Sequence, residues 1–399
     1  MASTQDVEKK DTYDFDRKIF KIAKKIIAPF IKSKFNFNAN ALYQMPDAPY
    51  ILICNHVTNL DMVFVAISTD KHLYFVSSEH VVRKGIGGKM VQTFFHPIVR
   101  EKATVGLTTV VEMKKHLTAG HNVGLFAEGV RSADGRSNKI VPSSAAVLKK
   151  LGFTVVTFKL HGGFFTSPRW SSDIRRGEMS GELVHIYSPE DIKSMSAEEL
   201  DTAINNDIYE DAYEYNKDRK IAFKSKKAAE GIEFELVVCP KCKKMATIHS
   251  KGSTFYCDCG LKGVYNEYGL LSGEGFDFTT IPEWDEWQKK EIENLSFEDD
   301  EIIVFHPNQM ITEISKDHTE IVVGEGELIL RGNSVSVGEK TISFNEIKDC
   351  DFFYHGYLLI SAKDKKYYEI SNPKSKYPGY LYKLLIKKQM SSNKKTKED

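Results

Sequence analysis

The chain has 399 residues, too many for one ordinary core, and its 41% hydrophobic and 28% charged content is that of a globular protein of two or three domains. Lys+Arg and Asp+Glu number 55 each, so the formal net charge is zero, which argues against a nucleic-acid partner. No apolar run approaches the about 18 to 20 residues needed to span a bilayer, and the acidic, polar start does not read as a signal peptide.

The first predicted element is a helix. Phe15, Ile19, Phe20, Ile22, Ala23, Ile26, Ile27 and Phe30 recur at helical spacing, while Arg17 to Lys34 carries seven basic residues and no acidic one. Such a face either packs on the protein's own core or lies in a lipid interface, where a Lys-rich polar side is common. Residues 1–34 are read as this amphipathic segment.

Tyr50–Cys54 is a short, continuous apolar run, the pattern of a buried strand. Similar runs at Leu73–Val76, Val123–Phe126 and Thr154–Leu160 alternate with helical stretches around Met62–Ser68, Val105–Leu117 and Ser143–Leu151. Alternation of this kind implies an α/β domain, a mostly parallel sheet with helices on both faces, here residues 35–228. Functional groups of such sheets gather where strands end. His56 and Glu128 both follow predicted strands, so the topology brings them to one edge.

Beyond Ala197–Tyr215, read as helix, the lysine-rich Lys217–Lys227 reads as a linker and the cysteines begin. A helix carrying Trp284 and Trp287 follows, after which the period changes to two. Ile302–His306, Ile311–Ile314, Glu320–Val323, Gly326–Leu330, Ser334–Val337, Thr341–Phe344, Tyr357–Ala362 and Lys366–Ile370 are candidate strands, closed by a helix at Tyr377–Lys388. Many short strands with turn residues indicate an all-β barrel or sandwich. Met390–Asp399 has the composition of a disordered tail.

Two stretches carry chemistry. In Asn55-His56-Val57-Thr58-Asn59-Leu60-Asp61, an imidazole could take the proton of an attacking hydroxyl while a carboxylate fixes its tautomer. The residues are too far apart in sequence for one helix face, and meet only if His56 ends the strand and Asp61 opens the helix. A His beside a helix-capping Asp is the competing reading. In Phe126-Ala127-Glu128-Gly129-Val130-Arg131-Ser132, an Arg near a Gly at a strand end suits an oxyanion, with Arg136 and Lys139 downstream; a solvated polar loop is the alternative.

Together these stretches resemble the glycerophospholipid acyltransferases, typified by the lysophosphatidic acid acyltransferases. The family's NHxSxxD motif is matched with Thr58 for Ser, and FPEGTRS with Ala127 and Val130 substituted. Phe95-His96-Pro97-Ile98-Val99-Arg100 looks like the second motif, and Val155-Val156-Thr157-Phe158 stands where the fourth is usually apolar around a Pro. Order and separation agree over roughly residues 40 to 215. The resemblance implies His56 as catalytic base and Asp61 as its orienting carboxylate. It implies Arg100, Glu128, Gly129 and Arg131 at the acceptor site, and amides after His56 at the oxyanion. It further implies acyl-CoA or acyl carrier protein as thioester donor and a lysophospholipid acceptor, lysophosphatidic acid first. The expected place is cytoplasmic, peripheral on the cytosolic face of a membrane. Another lysophospholipid, glycerol 3-phosphate, or a non-catalytic lipid-binding adaptor are the alternatives, and retention of the base favours the enzyme.

Cys239-Pro240-Lys241-Cys242 and Cys257-Asp258-Cys259 form two thiol pairs a hairpin apart. Four thiolates satisfy a structural Zn site, and Cys-Pro-x-Cys is the usual first knuckle of a zinc ribbon, here residues 229–275. A redox dithiol would need a thioredoxin-like context that is missing. Cys-x-Cys is one residue shorter than usual, so its turn must differ; His249 reads as a polar hairpin residue. Residues 276–392, a linker helix and the strands, resemble a pleckstrin-homology-like barrel closed by one helix.

Overall fold

The run Tyr50–Cys54 forms the central strand of the first half of the chain. The structure is a computed structural model that describes residues 13–38, 45–79, 82, 88–89, 92–93, 95–100, 106–315, 319–353 and 356–395. Its chain falls into two compact units, 1–130 with 138–160 and 179–209, and 131–137 with 161–178 and 210–399. The sequence reading places domain limits at 228 and 275. Two stretches inside the first span belong to the second unit, and the cysteine region shares that unit with the later strands.

The first unit runs through helix α1 (Tyr13–Phe35), strands β1 (Phe37–Asn38) and β2 (Tyr50–Cys54), helix α2 (Asp61–Ser68), and strands β3 (Leu73–Ser78) and β4 (Ile98–Arg100). Helix α3 (Leu107–Thr118), β5 (Asn122–Leu125), α4 (Ser144–Leu151) and β6 (Thr154–His161) follow. After a short helix α5 (Gly163–Thr166) that belongs to the second unit, β7 (Met179–Tyr187), α6 (Pro189–Ser194) and α7 (Ala197–Ile208) complete the first. The sheet order is β1-β7-β6-β2-β5-β3-β4, with β2 parallel to both β5 and β6, and β3 parallel to β4 and β5.

Both faces of β2 are buried, which is why its sequence does not alternate. Ile51 and Ile53 pack with Leu117, Leu148, Ile204 and Ile208 on one face. Tyr50, Leu52 and Cys54 pack with Ile31, Phe35, Phe64 and Ile67 on the other. Successive side chains of a strand point to opposite faces, so a strand covered by helices twice must be apolar throughout.

Helix α1 divides its apolar residues between two stripes. Phe20, Ile31 and Phe35 are buried, whereas Ile22, Ile26 and Phe30, spaced by four, are 63%, 70% and 62% exposed. Lys18, Lys21, Lys25, Lys32 and Lys34 are exposed beside them. Lys24 is different: its ammonium donates to the Thr69 carbonyl, and burial lowers its pKa to about 8.

The second unit contains helix α8 (Ala212–Lys217), separated from α7 by Tyr209–Asp211, where one helix was expected. Asp211 accepts from the amides of Tyr213 and Glu214 and so starts a new helix. Four antiparallel strands follow, β8 (Ile248–Lys251), β9 (Thr254–Cys257), β10 (Lys262–Tyr265) and β11 (Leu271–Glu274), then helix α9 (Ile281–Glu293). The β-rich region has seven strands: β12 (Ile302–Ile314), β13 (Glu320–Arg331), β14 (Ser334–Val337), β15 (Lys340–Ser343), β16 (Ile347–Phe352), β17 (Tyr357–Ala362) and β18 (Tyr367–Ser371).

Their order, β15-β14-β13-β12-β18-β17-β16, puts β15 and β16 at opposite ends. Only residues 344–346 join them, a link reaching about 14 Å, so the sheet curls until its ends approach. Four expected strands are in fact halves of β12 and β13, whose register slips at bulges such as His306/Gln309. Strand β16 escaped the sequence reading because Lys348, Asp349 and Asp351 interrupt its apolar pattern. Helix α10 (Gly379–Lys395) adds Leu381, Leu385 and Ile386 to the core of this region. Met390–Lys395, expected to be disordered, is helical because extending a docked helix adds one hydrogen bond per residue without a new nucleus. Residues 396–399 lie outside the described residues.

Candidate active site and cysteine cluster

Strand β2 ends at Cys54 and α2 begins at Asp61, so residues 55–60 form the turn that carries His56. Asn55 anchors this turn. Its side-chain amide donates to the Leu160 carbonyl at 2.9 Å, and its Oδ1 accepts from the Leu160 amide at 2.8 Å, clasping the turn to the end of β6. The next residue is thereby held at the carboxyl edge of the sheet.

His56 and Asp61 do meet. Nδ1 of His56 lies 2.7 Å from Oδ2 of Asp61. Asp61 is buried and does not cap its helix. Instead Oδ2 accepts from the Val57 amide at 2.7 Å, and Oδ1 from the Thr58 amide at 2.8 Å and the Thr58 hydroxyl at 2.6 Å. With so many donors aimed at Asp61, the proton of the His56–Asp61 contact sits on Nδ1, leaving Nε2 as a lone-pair acceptor. The ring stacks on Phe126, centroids 4.6 Å apart, and its side chain keeps 25% exposure. An oriented, reachable imidazole is the equipment of a general base.

Glu128, expected at the acceptor site, makes two backbone contacts. Oε1 accepts from the His56 amide at 2.8 Å, and Oε2 from the Asn138 amide at 2.6 Å. The buried carboxyl thus ties the turn after β2 to the loop after β5, whose neighbouring strands run parallel. Burial pushes its pKa up to about 8, against the pull of those hydrogen bonds. Gly129 follows with φ of 75°, a left-handed conformation that favours glycine, and its amide closes the turn onto the Phe126 carbonyl at 3.1 Å.

Of the amides after His56, expected at the oxyanion, those of Val57 and Thr58 donate to Asp61, while the amide of His56 itself donates to Glu128. Their work is to build the dyad. Arg100 ends the edge strand β4, exposed and in register with Ser78. Arg131 belongs to the second unit, where it is buried and donates to the Ser167 carbonyl at 2.8 Å. Arg136 is paired with Asp134 and Glu286, which explains its presence without a ligand. Thr157 is also explained: its hydroxyl donates at 2.8 Å to Asp207, which also accepts from the Tyr187 hydroxyl at 2.7 Å.

Sequence reasoning missed Asn55 as a clasp, Thr58 as a support of Asp61, and Asn138. The first two stand in the motif already singled out; Asn138 offers no periodic signal. The cysteines converge as a group. Sγ atoms of Cys239, Cys242, Cys257 and Cys259 all lie within 4.8 Å of one another, the one such cluster of three or more metal-type side chains among the described residues. The shortened Cys-x-Cys turn closes through Gly260, at φ of 88°, whose amide donates to the Cys257 carbonyl at 2.9 Å. His249 sits on β8 and faces Asp258 at 3.0 Å, outside the cluster.

Residues 36–161 match the Acyltransferase family model. The chain is 29% identical over 151 residues, 37% of its length, to 1-acyl-sn-glycerol-3-phosphate acyltransferase LPAT1, chloroplastic, of Arabidopsis thaliana. It spans 41% of that relative's own length. Among solved structures it is similar to the 1-acyl-sn-glycerophosphate (LPA) acyltransferase PlsC from Thermotoga maritima, with a TM-score of 0.41 and 19% identity, over 52% of this chain and 84% of that one.

Proposed function

We propose that this chain, acyltransferase-like over residues 36–161, moves a fatty acyl group from a thioester to the free hydroxyl of lysophosphatidic acid at a membrane surface. The observation that carries this reading is the 2.7 Å contact of His56 Nδ1 with buried Asp61 at the carboxyl end of β2. A structural histidine in a turn has no need of a buried carboxylate assembled from three further donors.

Nε2 of His56 takes the proton of the acceptor hydroxyl as its oxygen attacks the thioester carbonyl. The tetrahedral oxyanion collapses, the carbon–sulfur bond breaks, and the imidazolium returns its proton to the departing thiolate. Asp61 holds the ring and stabilises the imidazolium. Glu128 acts as a positioning residue through the His56 amide. Arg131 and Arg100 supply guanidinium groups for the acceptor phosphate, since a guanidinium matches oxyanions bidentately. Acyl-CoA and acyl carrier protein present the same reacting thioester.

The acceptor's acyl chain keeps it in a bilayer, and the exposed Ile22–Ile26–Phe30 stripe of α1 with its flanking lysines suits an interfacial helix on the cytosolic face. No helix among the described residues is long and apolar enough to cross a membrane. Purified protein assayed with labelled thioester against a panel of lysophospholipids and glycerol 3-phosphate tests the assignment. Transfer to lysophosphatidic acid is expected to dominate; no transfer to any acceptor would leave a lipid-binding adaptor in its place.

A further inference from the structure

The two closest sulfur pairs of the cysteine cluster are Cys239–Cys259 at 3.7 Å and Cys242–Cys257 at 3.8 Å. A disulfide would draw each pair to about 2.05 Å. Tetrahedral thiolates at about 2.3 Å from a zinc ion stand about 3.8 Å from one another, so the spacing is that of ligands around a shared centre. The cluster also lies where a structural ion has something to hold. Cys239, Cys257 and Leu261 are buried in one core with Phe164, Phe165, Trp170 and Tyr265. Arg175 has its guanidinium 4.8 Å from both the Trp170 and Tyr265 rings and donates to the Ala228 carbonyl. The same segment presents the Ser167 carbonyl to Arg131, and Arg169 donates to the Arg131 carbonyl at 3.4 Å.

We propose that Cys239, Cys242, Cys257 and Cys259 hold one zinc ion as a closed, non-catalytic centre, and that the ribbon so closed braces segment 163–175, which fixes Arg131. The second half rests on the reading of Arg131 as an acceptor-phosphate residue. Four thiolates fill a tetrahedral shell and leave no position for substrate, so the ion contributes stiffness and no chemistry. The brace runs through packed side chains: cysteine knuckles to Phe255 and Tyr265, Tyr265 to Arg175 and Trp170, and that segment to Arg131.

Metal analysis of the full chain should give about one zinc per molecule, and Cys242→Ser should lose it. Cys259→His keeps a ligand atom and should retain the metal, which guards against a serine variant that simply fails to fold. A chain that stays metal-free after reconstitution with zinc overturns the site. Removing zinc by chelation under reducing conditions should speed hydrogen exchange across residues 163–175. It should also raise KM for a phosphorylated acceptor more than it lowers kcat. Unchanged exchange in that segment overturns the brace whatever the activity. If the native chain shows no transfer, the functional reading fails, while metal content and exchange still decide this proposal.

Discussion

The backbone amide of His56 donates to Oε1 of Glu128 at 2.8 Å, joining two residues 72 positions apart through a buried carboxyl. The other oxygen takes the Asn138 amide at 2.6 Å, so one side chain sets both loops of the candidate site. Glu128→Ala should take the acceptor from two part-buried N–H groups, at about 0.5–1.5 kcal/mol each. A calorimetric Tm lowered by several degrees checks this; an unchanged Tm would show that the clasp does not matter.

The same residue predicts a pH dependence. Its folded pKa, raised to about 8 from 4.5, means that the folded chain binds the proton more tightly than the unfolded one. Its contribution is then fully present below the unfolded value and is lost as pH rises through about 8. The stability difference between wild type and Glu128→Gln should therefore shrink from pH 4.5 to 8 and level off above. Denaturation series across that range would show it, and a difference constant with pH would contradict it.

His56→Ala removes the base and little packing, because its side chain is part-exposed and stacked at the surface of Phe126. Transfer should fall by about 10²- to 10⁴-fold with Tm unchanged. Asp61→Asn should also lose activity, by up to about 10⁴-fold, through the wrong imidazole tautomer. Turnover near wild type in either variant, with a true acceptor, would remove the dyad from the mechanism.

Arg131→Ala should raise KM for a phosphorylated acceptor, as the loss of one charged hydrogen bond is worth about 1.5–3 kcal/mol. Arg131→Lys should recover only part, because an ammonium lacks the planar fork. Kinetics disturbed in the thioester alone would assign Arg131 to the donor.

Helix α1 separates two ways of losing activity. Lys21→Glu with Lys25→Glu, and separately Ile22, Ile26 and Phe30 all changed to Ser, should weaken binding to anionic vesicles, each lysine counting about 1 kcal/mol. Lys24 is left alone because its ammonium supports the Thr69 carbonyl. Added salt should erase the charge effect but not the apolar one. Vesicle binding indifferent to both sets would assign the stripe to something other than lipid.

Much of the first unit was legible in the sequence because its signals are local. Tyr50–Cys54 reads as a doubly buried strand from five residues alone, and the structure gives the same limits. His56 and Glu128 follow strands that turn out parallel and adjacent, so chain order and right-handed crossover were enough to bring them together. The cysteine pairs were legible for the same reason: their spacing is local, and the hairpin between them does the rest.

What the sequence could not decide were matters of partner and direction. Which donors Asp61 collects, and that Glu128 turns inward to two amides, depend on loops brought together from distant positions. The two stripes of α1 share one helical periodicity, and only the sheet beneath it decides that Phe20, Ile31 and Phe35 face in while Ile22, Ile26 and Phe30 face out. Spacing fixes which residues share a face; burial fixes what that face meets, and burial is a property of the assembled chain.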